Sequence, residues 1–480
     1  MFEVDEQMTD ITYVDISPNE VNNHPFCPHG PTLLFSRHTK KGDRKYYACS
    51  ACRNRKLCNF FHWADEKYSS ARKQIWHCER KKFIGDKSHQ ELYDSLHTLK
   101  SLISKNQVIY CHTCNKFLKN GDGGEHADHN VNVNISLHQI MHPTEMLKPL
   151  ECDKREAQYL FSRASVKALI NIALHNNINS VICIGAPRIH EYIKTTQVDI
   201  RSILLDLDKR YHMFYGPEDF CWFNSFNFHF FLGHSSEQSF MNFLRNDKKH
   251  LLILDPPFGG RLEPLAHTLK NIQALYKKLH PCSKNDLPVI LIYPYFLEQH
   301  VVTCLPTFNM IDYKITYDNH PLFSQGAKAR KLGSPVRIFT NICPEKVILP
   351  FDEGYKFCEI CAYWVSPENK HCDFCNKCTS KNGSTYVHCK KCQKCVKPTW
   401  KHCGKCKRCC LEPHTCASIA PSLHCYHCGE KGHKKEDCKL ISQDDRNILV
   451  VNISNNSYKR KGGKCEADNK KRKVGKRQLK

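Results

Sequence analysis

The chain has 480 residues, room for about three domains of ordinary size, and its 41% hydrophobic content is enough to build buried cores. Lys and Arg outnumber Asp and Glu by 71 to 48, a formal charge of +23, and 30 Cys stand beside 29 His. No apolar run approaches the roughly 18 to 20 residues of a membrane span and no secretory leader is expected, so neither a membrane protein nor a disulfide-stapled secreted protein is expected, and the cysteines are expected as metal ligands in a reducing compartment.

The first 24 residues contain six acids and no Lys or Arg, and are expected to be disordered. From there the charge reverses. Residues 25 to 110 carry 17 basic and 7 acidic side chains, a balance that favours nucleic acid through counterion release from phosphates. Within this stretch Cys27-x-His29-Gly30 precedes Cys49, Cys58 and Asn59-Phe60-Phe61-His62-Trp63. The pattern, over 25–66, resembles the GRF zinc finger. The resemblance assigns Cys27, His29, Cys49 and Cys58 as ligands, with Cys52 a rival for Cys49 because Cys49-x2-Cys52 also has ligand spacing. His29 stands where Cys is usual, and the naming Gly-Arg-Phe segment reads Asp43-Arg44-Lys45-Tyr46-Tyr47. Such fingers commonly bind single-stranded nucleic acid, here through a basic hairpin of Arg37, Lys40, Lys41, Arg44 and Lys45.

Residues 67–149 are expected to hold linker helices and a second finger, Cys111-x2-Cys114 with His126-x2-His129. The His spacing is short for a DNA-reading finger, and Asp122-Gly123-Gly124 breaks a recognition helix. A structural finger packed on its neighbours is expected, with His138 and His142 as competing ligands.

Between about 150 and 345 an α/β alternation replaces the metal patterns. Val166 to Leu174 has helical periodicity, and Leu265 to Leu279 is an amphipathic helix. Buried strands are read at Ser180–Ile184 ending at Gly185, at Ile203–Leu205 ending at Asp206, at Leu251–Leu254 ending at Asp255, and at Val289–Ile292. Continuous apolar strands separated by helices mean a parallel sheet covered on both faces, with ligands outside the carboxyl ends of the strands. Cys183 and Cys304 are read as core residues in apolar strands.

Asp255-Pro256-Pro257-Phe258 directly follows a strand. It resembles the Asp/Asn-Pro-Pro-Tyr/Phe motif of amino-methyltransferases acting on adenine N6. An exocyclic amine is a poor nucleophile because its lone pair is conjugated with the ring. The Asp255 carboxylate and the Pro256 carbonyl can accept its N–H bonds and aim that lone pair at a methyl donor. Pro256 and Pro257 hold the backbone in place, and Phe258 can stack on a flipped base. In this reading Ile184-Gly185-Ala186-Pro187-Arg188 is the first strand-to-helix loop, where Gly185 lets the backbone approach S-adenosylmethionine. Asp206 suits the ribose hydroxyls, and Phe223 and Asn224 border the adenine of the cofactor. Gln158-Tyr159-Leu160-Phe161 resembles the segment that closes over the cofactor in related RNA adenine methyltransferases.

Over 355–418 a unit His-Cys-x2-Cys-x2-Cys occurs three times after an opening Cys358-x2-Cys361, and His414-x-Cys416 closes the series. An overlapped register fits. Cys358 and Cys361 pair with His371 and Cys378; Cys372 and Cys375 with His388 and Cys395; Cys389 and Cys392 with His402 and Cys409; Cys403 and Cys406 with His414 and Cys416. In the first three sets the closing His and Cys are seven apart. Sequential, non-overlapped sets are the alternative. The layout resembles the cysteine-rich module of palmitoyltransferases, but Tyr386-Val387-His388-Cys389 stands where the acyl-transfer motif would be. The module is therefore read as structural, zinc replacing a core that 60 residues cannot build. Chelation is expected to melt it and spare cofactor binding by the central domain.

Cys425-x2-Cys428-x4-His433-x4-Cys438 is a zinc-knuckle pattern within 423–440, able to stack single-stranded bases on Tyr426. In the 441–480 tail, Lys459-Arg460-Lys461 and Lys470-Lys471-Arg472-Lys473 are spaced like a bipartite nuclear import signal.

These modules, in this order, resemble the zinc-knuckle N6-adenosine methyltransferases of large-subunit (28S) rRNA. The resemblance implies a Rossmann-like class I α/β methyltransferase domain flanked by several small zinc-binding domains. It further implies S-adenosylmethionine and about seven zinc ions as cofactors, structured 28S rRNA as partner, and a nuclear and nucleolar location. A non-catalytic RNA-binding scaffold and a DNA adenine methyltransferase are the competing classes; the intact Asp255 and prolines speak against the first.

Overall fold

The computed structural model describes residues 12–15 and 21–416, apart from 40–41, 53, 104, 106, 120, 122, 151–157, 247, 284 and 321–332. The knuckle residues Cys425, Cys428, His433 and Cys438 and the basic tail lie outside the described residues, as do Lys40 and Lys41. The described chain falls into two compact units, one ending at His402 and one beginning at Cys403.

The larger unit is built on an eight-stranded sheet: β1 (Ser180–Ile184), β2 (Arg201–Asp206), β3 (Phe220–Asn224), β4 (His229–Phe230), β5 (His250–Leu254), β6 (Val289–Pro294), β7 (Asn309–Ile311) and β8 (Val336–Thr340). The order across it is β4-β3-β2-β1-β5-β6-β8-β7. β1, β2, β3, β5 and β6 run parallel, while β8 is antiparallel to both β6 and β7. The parallel strands are joined by α1 (Arg163–His175, before β1), α2 (Pro187–Thr195), α3 (His234–Arg245) and α4 (Leu262–Leu279); α5 (Glu298–Cys304) follows β6.

Each parallel strand is buried on both faces, which is why the sequence reads as apolar runs without alternation. In β1, Val181 and Cys183 enter one core layer and Ile182 and Ile184 the other. The expected strands are present, β2, β5 and β6 slightly longer than read, and the sheet gains antiparallel strands at both edges. Phe223 and Asn224 end β3 itself. Cys304 is not in a strand; it closes α5 and is half-buried. Among the described residues, no helix is long and apolar enough to cross a membrane.

The order reverses between β1 and β5. The chain steps outward through β2 and β3, then returns to lay β5 against the other side of β1. The loops after β1 and β5 therefore leave the sheet side by side at its carboxyl edge, where α/β sheets open a ligand crevice.

The zinc modules up to His402 belong to the same unit. Asn224 Nδ2 donates to the His29 carbonyl and Ser50 Oγ, both at 2.8 Å. Asn227 Nδ2 donates to the carbonyls of His29 (3.1 Å) and Pro31 (2.8 Å). Gly30 sits at φ +96°, and a Cβ there would lie 2.4 Å from the His229 ring, so only glycine allows this approach. The second finger packs through fully buried Val108 and Tyr110. A 3-10 turn, Gly123–His126, stands where a recognition helix would be.

At the other end the hairpin module is stitched by hydrogen bonds to a buried ion pair of the sheet. Arg337 of β8 lies 3.4 Å from Asp312, with side-chain exposures of 0% and 5%. The second Asp312 oxygen accepts from Ser366 N (3.2 Å), Ser366 Oγ (2.8 Å) and Asn369 Nδ2 (2.8 Å).

Candidate active site and metal centres

A cavity of about 390 Å³ opens at the reversal point. Its floor is the paired turns after β1 and β5. Gly185 adopts φ +61°, and a Cβ on it would lie 2.7 Å from the Asp255 carbonyl oxygen. Asp255 N in turn donates to Ile184 O at 3.0 Å. Any side chain at 185 would push the two turns apart, so this single glycine does what a glycine-rich loop does elsewhere.

Of the residues picked from sequence, Gln158, Tyr159, Ile184, Gly185, Asp206, Phe223, Asn224, Asp255, Pro256, Pro257 and Phe258 line the cavity. Leu160, Phe161, Ala186 and Arg188 do not. Leu160, Phe161 and Ala186 are buried behind the wall. Arg188 is engaged by Asp318 and donates to Phe161 O at 3.2 Å, so it fastens the 158–161 segment to the loop after β7. Asn224 reaches the cavity, but its amide nitrogen is spent on the finger and its oxygen accepts from Phe226 N at 3.0 Å.

Three contributors escaped sequence reasoning. Tyr317, fully buried, donates its hydroxyl to Asp255 Oδ1 at 2.9 Å. The N-terminal finger supplies part of the wall through His29, Ala51, Cys52 and Leu57, and the helix Ser70–Ile84 adds Phe83. Tyr317 lies 62 residues after Asp255 and the others 172 to 226 residues before it, so none leaves a local signal.

Burial pushes the Asp255 carboxyl well above the usual carboxylate range; the Tyr317 hydrogen bond opposes this and the charge of Asp206 adds to it. Asp206 is pushed up to about 7, chiefly by burial and then by the charge of Asp208. Phe258 lies nearly parallel to Tyr159, ring centroids 6.2 Å apart at 22°. The cavity lining carries three carboxylates, Asp206, Asp208 and Asp255, of which Asp208 is paired with Arg210 at 2.7 Å; the rest is largely apolar and aromatic, a lining suited to a nucleoside-bearing methyl donor and a flat base.

The metal centres fit zinc by donor chemistry and spacing. Tetrahedral Zn–S bonds of about 2.3 Å place ligand sulfurs roughly 3.8 Å apart. The donor atoms of Cys27, His29, Cys49 and Cys58, of Cys111, Cys114, His126 and His129, of Cys358, Cys361, His371 and Cys378, and of Cys372, Cys375, His388 and Cys395 each lie within 4.8 Å of one another. Cys52 stays close to the first set, its sulfur 3.6 Å from His29 Nε2. His138 and His142 instead stack on each other at 4.0 Å.

The hairpin module repeats one geometry in the overlapped register. His371 Nδ1 is 3.7 and 3.2 Å from Cys358 and Cys361. His388 Nδ1 is 3.8 and 3.3 Å from Cys372 and Cys375, and His402 Nδ1 is 3.7 and 3.2 Å from Cys389 and Cys392. Cys409, the expected fourth ligand of that last set, belongs to the second unit. There Cys403 and Cys416 are 3.7 Å apart, and His414 Nε2 is 3.7 Å from Cys406 and 3.5 Å from Cys416. Cys410, absent from the sequence assignment, lies 3.2 Å from the same nitrogen and rivals Cys416.

In every Cys-x2-Cys turn of the second finger and of this module, the residue after the second cysteine is left-handed. Asn115, Ala362, Asn376, Gln393 and Lys407 have φ between 47° and 55°. None is glycine; the two Asn tolerate this region, and Ala362, Gln393 and Lys407 occupy it at a cost.

Residues 152–341 match the family described as probable N6-adenine methyltransferase, and residues 25–67 match the GRF zinc finger. Three similar relatives are each named rRNA N(6)-adenosine-methyltransferase ZCCHC4. That of Homo sapiens is 43% identical over 434 residues, covering 88% of this chain and 84% of its own. The Xenopus laevis protein is 44% identical over 455 residues, 92% of each chain. The Mus musculus protein is 45% identical over 448 residues, 91% of this chain and 87% of its own.

Proposed function

Because the chain belongs to the rRNA N6-adenosine methyltransferase family, we propose that it transfers a methyl group from S-adenosylmethionine to the exocyclic amine of one adenosine in structured 28S rRNA, with about seven zinc ions holding its modules. The observation that carries this reading is the Asp255 carboxylate, buried at the end of β5 with one oxygen held by Tyr317. When bound, S-adenosylmethionine would supply an electrophilic sulfonium methyl for the amine nitrogen, S-adenosylhomocysteine would be the leaving product, and the proton shed by the amine would pass out through the open side of the cavity once the product leaves.

The remaining work falls to side chains. Tyr317 fixes the Asp255 carboxylate so that its other oxygen can accept an amine N–H. The Pro256 carbonyl can accept the second. Phe258 and Tyr159 offer aromatic faces on which a flipped adenine can be held flat. Asp206 accepts from ribose hydroxyls of the methyl donor. These contacts position the nucleophile and exclude water.

Asp206 makes cofactor binding depend on pH. Its carboxyl is raised to about 7, and only the ionised form accepts from both hydroxyls. Affinity for S-adenosylmethionine is expected to weaken as pH falls through about 7, checked by calorimetry at pH 6 and pH 8. Equal affinities at the two values would remove Asp206 from the ribose site.

The function itself is tested by incubating the purified chain with radiolabelled S-adenosylmethionine and either total rRNA or genomic DNA. Label at a single N6-methyladenosine of the large-subunit rRNA is expected, with elemental analysis near seven zinc per chain. Label on DNA alone would overturn the substrate, and a count near three would overturn the zinc assignment.

A further inference from the structure

We propose that a second cleft, where the N-terminal finger meets the helix Ser70–Ile84, binds an unpaired nucleotide of the RNA substrate. The inference rests on the RNA-substrate reading above and adds a binding site outside the catalytic cavity. The cleft encloses about 490 Å³ and is lined by Tyr47, His62, Tyr68, Lys73, Trp76 and Arg80, among others. That volume lies within the range of small-ligand sites, and the cleft shares no lining residue with the cavity around Asp255.

The helix explains why the cleft exists. Its 15 residues include none that is buried. Lys73, Trp76, His77 and Arg80 recur at i, i+3, i+4 and i+7 and so share one face. On an ordinary helix that face would carry aliphatic residues and close onto a core; here it carries cations and rings and borders an open cleft. The rings are braced from behind. Phe60, 2% exposed, packs against both Trp76 (4.9 Å) and Tyr68 (6.3 Å).

The chemistry is that of a base and its phosphate. Lys73 Nζ lies 5.8 Å from the Tyr68 ring, and the Arg80 guanidinium 5.1 Å from the Phe26 ring. Cations therefore flank aromatic platforms, as single-stranded nucleic acid requires. The acid on the lining, Glu66, is bound to Arg44 at 2.9 Å, which leaves the balance positive. An apolar peptide would bury these cations without counter-charge. The site also differs from the basic hairpin of the finger, where Arg44 is occupied by Asp65 and Glu66. Phe83, on the same helix, lines the catalytic cavity; seven residues separate it from Trp76, about 10 Å along the axis. One continuous unpaired stretch can reach both.

The test uses the full-length, zinc-loaded chain and a fluorescent single-stranded RNA taken from the methylated rRNA region. Trp76→Ala is expected to weaken RNA binding roughly 10-fold, while Trp76→Phe retains most of it. Affinity for S-adenosylmethionine and zinc content serve as controls for folding. Lys73→Ala, at an exposed position, is expected to lower affinity and flatten its salt dependence, which keeps the proposal open to refutation should Trp76→Ala misfold. Unchanged RNA affinity in Lys73→Ala and in folded Trp76→Ala overturns the cleft as a nucleotide site even where the unaltered enzyme methylates rRNA. Failure of the unaltered enzyme to methylate rRNA overturns the reading beneath it instead.

Discussion

Asp255→Ala is expected to retain the fold and cofactor binding and to lose methyl transfer by at least ~100-fold, because the acceptor that orients the amine is gone. Stability at neutral pH is not expected to suffer. The carboxyl is raised well above the usual range by burial. A group raised in the folded state favours folding only when protonated, and that contribution is lost as pH rises through its folded value. Above it, the ionised carboxylate opposes folding, and alanine relieves the conflict. The same shift governs rate in the opposite direction. The ionised form must accept the amine N–H, so the acid limb of the pH–rate profile should lie above the ordinary carboxylate range. Tyr317→Phe removes the bond that lowers it and should move that limb to higher pH. Steady-state kinetics across pH, beside calorimetry with S-adenosylmethionine, measure both effects. Near-normal turnover by Asp255→Ala on rRNA would sink the mechanism.

The second large effect is expected from the N-terminal finger. Cys27→Ser combined with Cys58→Ser should abolish measurable S-adenosylmethionine binding, although neither residue is part of the sheet. Sequence reasoning led to the opposite expectation for metal removal, that the cofactor site would survive it. The structure places His29, Ala51, Cys52 and Leu57 in the cavity wall and anchors the finger through Asn224 and Asn227, which donate to His29, Pro31 and Ser50. Structural zinc sites supply folding energy outright, so losing this one removes a wall and strands two buried amides. Calorimetry on the variant decides it; cofactor affinity within a factor of two of the unaltered chain would show the wall to be dispensable.

What was legible from the sequence divides along physical lines. β1, β2, β5 and β6 could be read because aliphatic runs end abruptly at Gly185, Asp206 or Asp255, or before a loop. β3 could not, although Phe220-Cys221-Trp222-Phe223 has strand-forming aromatics: the run is only four residues long, shows no alternation, and sits among further aromatics at Phe226, Phe228, Phe230 and Phe231 that blur its ends. β8 hides because Arg337 interrupts its apolar pattern. The metal ligands were legible because ligand spacing within a turn is a local constraint. Roles given to Arg188 and Asn224 from their loop positions could not anticipate that Asp318 and the finger hold their polar atoms. Tyr317 lies 62 residues beyond Asp255, and only the sheet topology brings them together.

The Asp312–Arg337 pair bears on how the chain is made. Synthesis delivers Arg337 before Ser366 and Asn369, the donors to the second Asp312 oxygen. Until they arrive, the Asp312 carboxylate keeps its Arg337 partner but lacks these three donors, and a buried acceptor left unmet costs about 1–3 kcal/mol. Those donors sit between the first two Cys-x2-Cys turns of the hairpin module, in a stretch that metal orders. The last step in maturing the catalytic sheet is thus tied to zinc captured after the sheet itself has been translated. A fragment ending near residue 345, the boundary that domain arithmetic suggests, should accumulate as an unstable intermediate in cells, and zinc scarcity should leave the full chain in the same half-finished state.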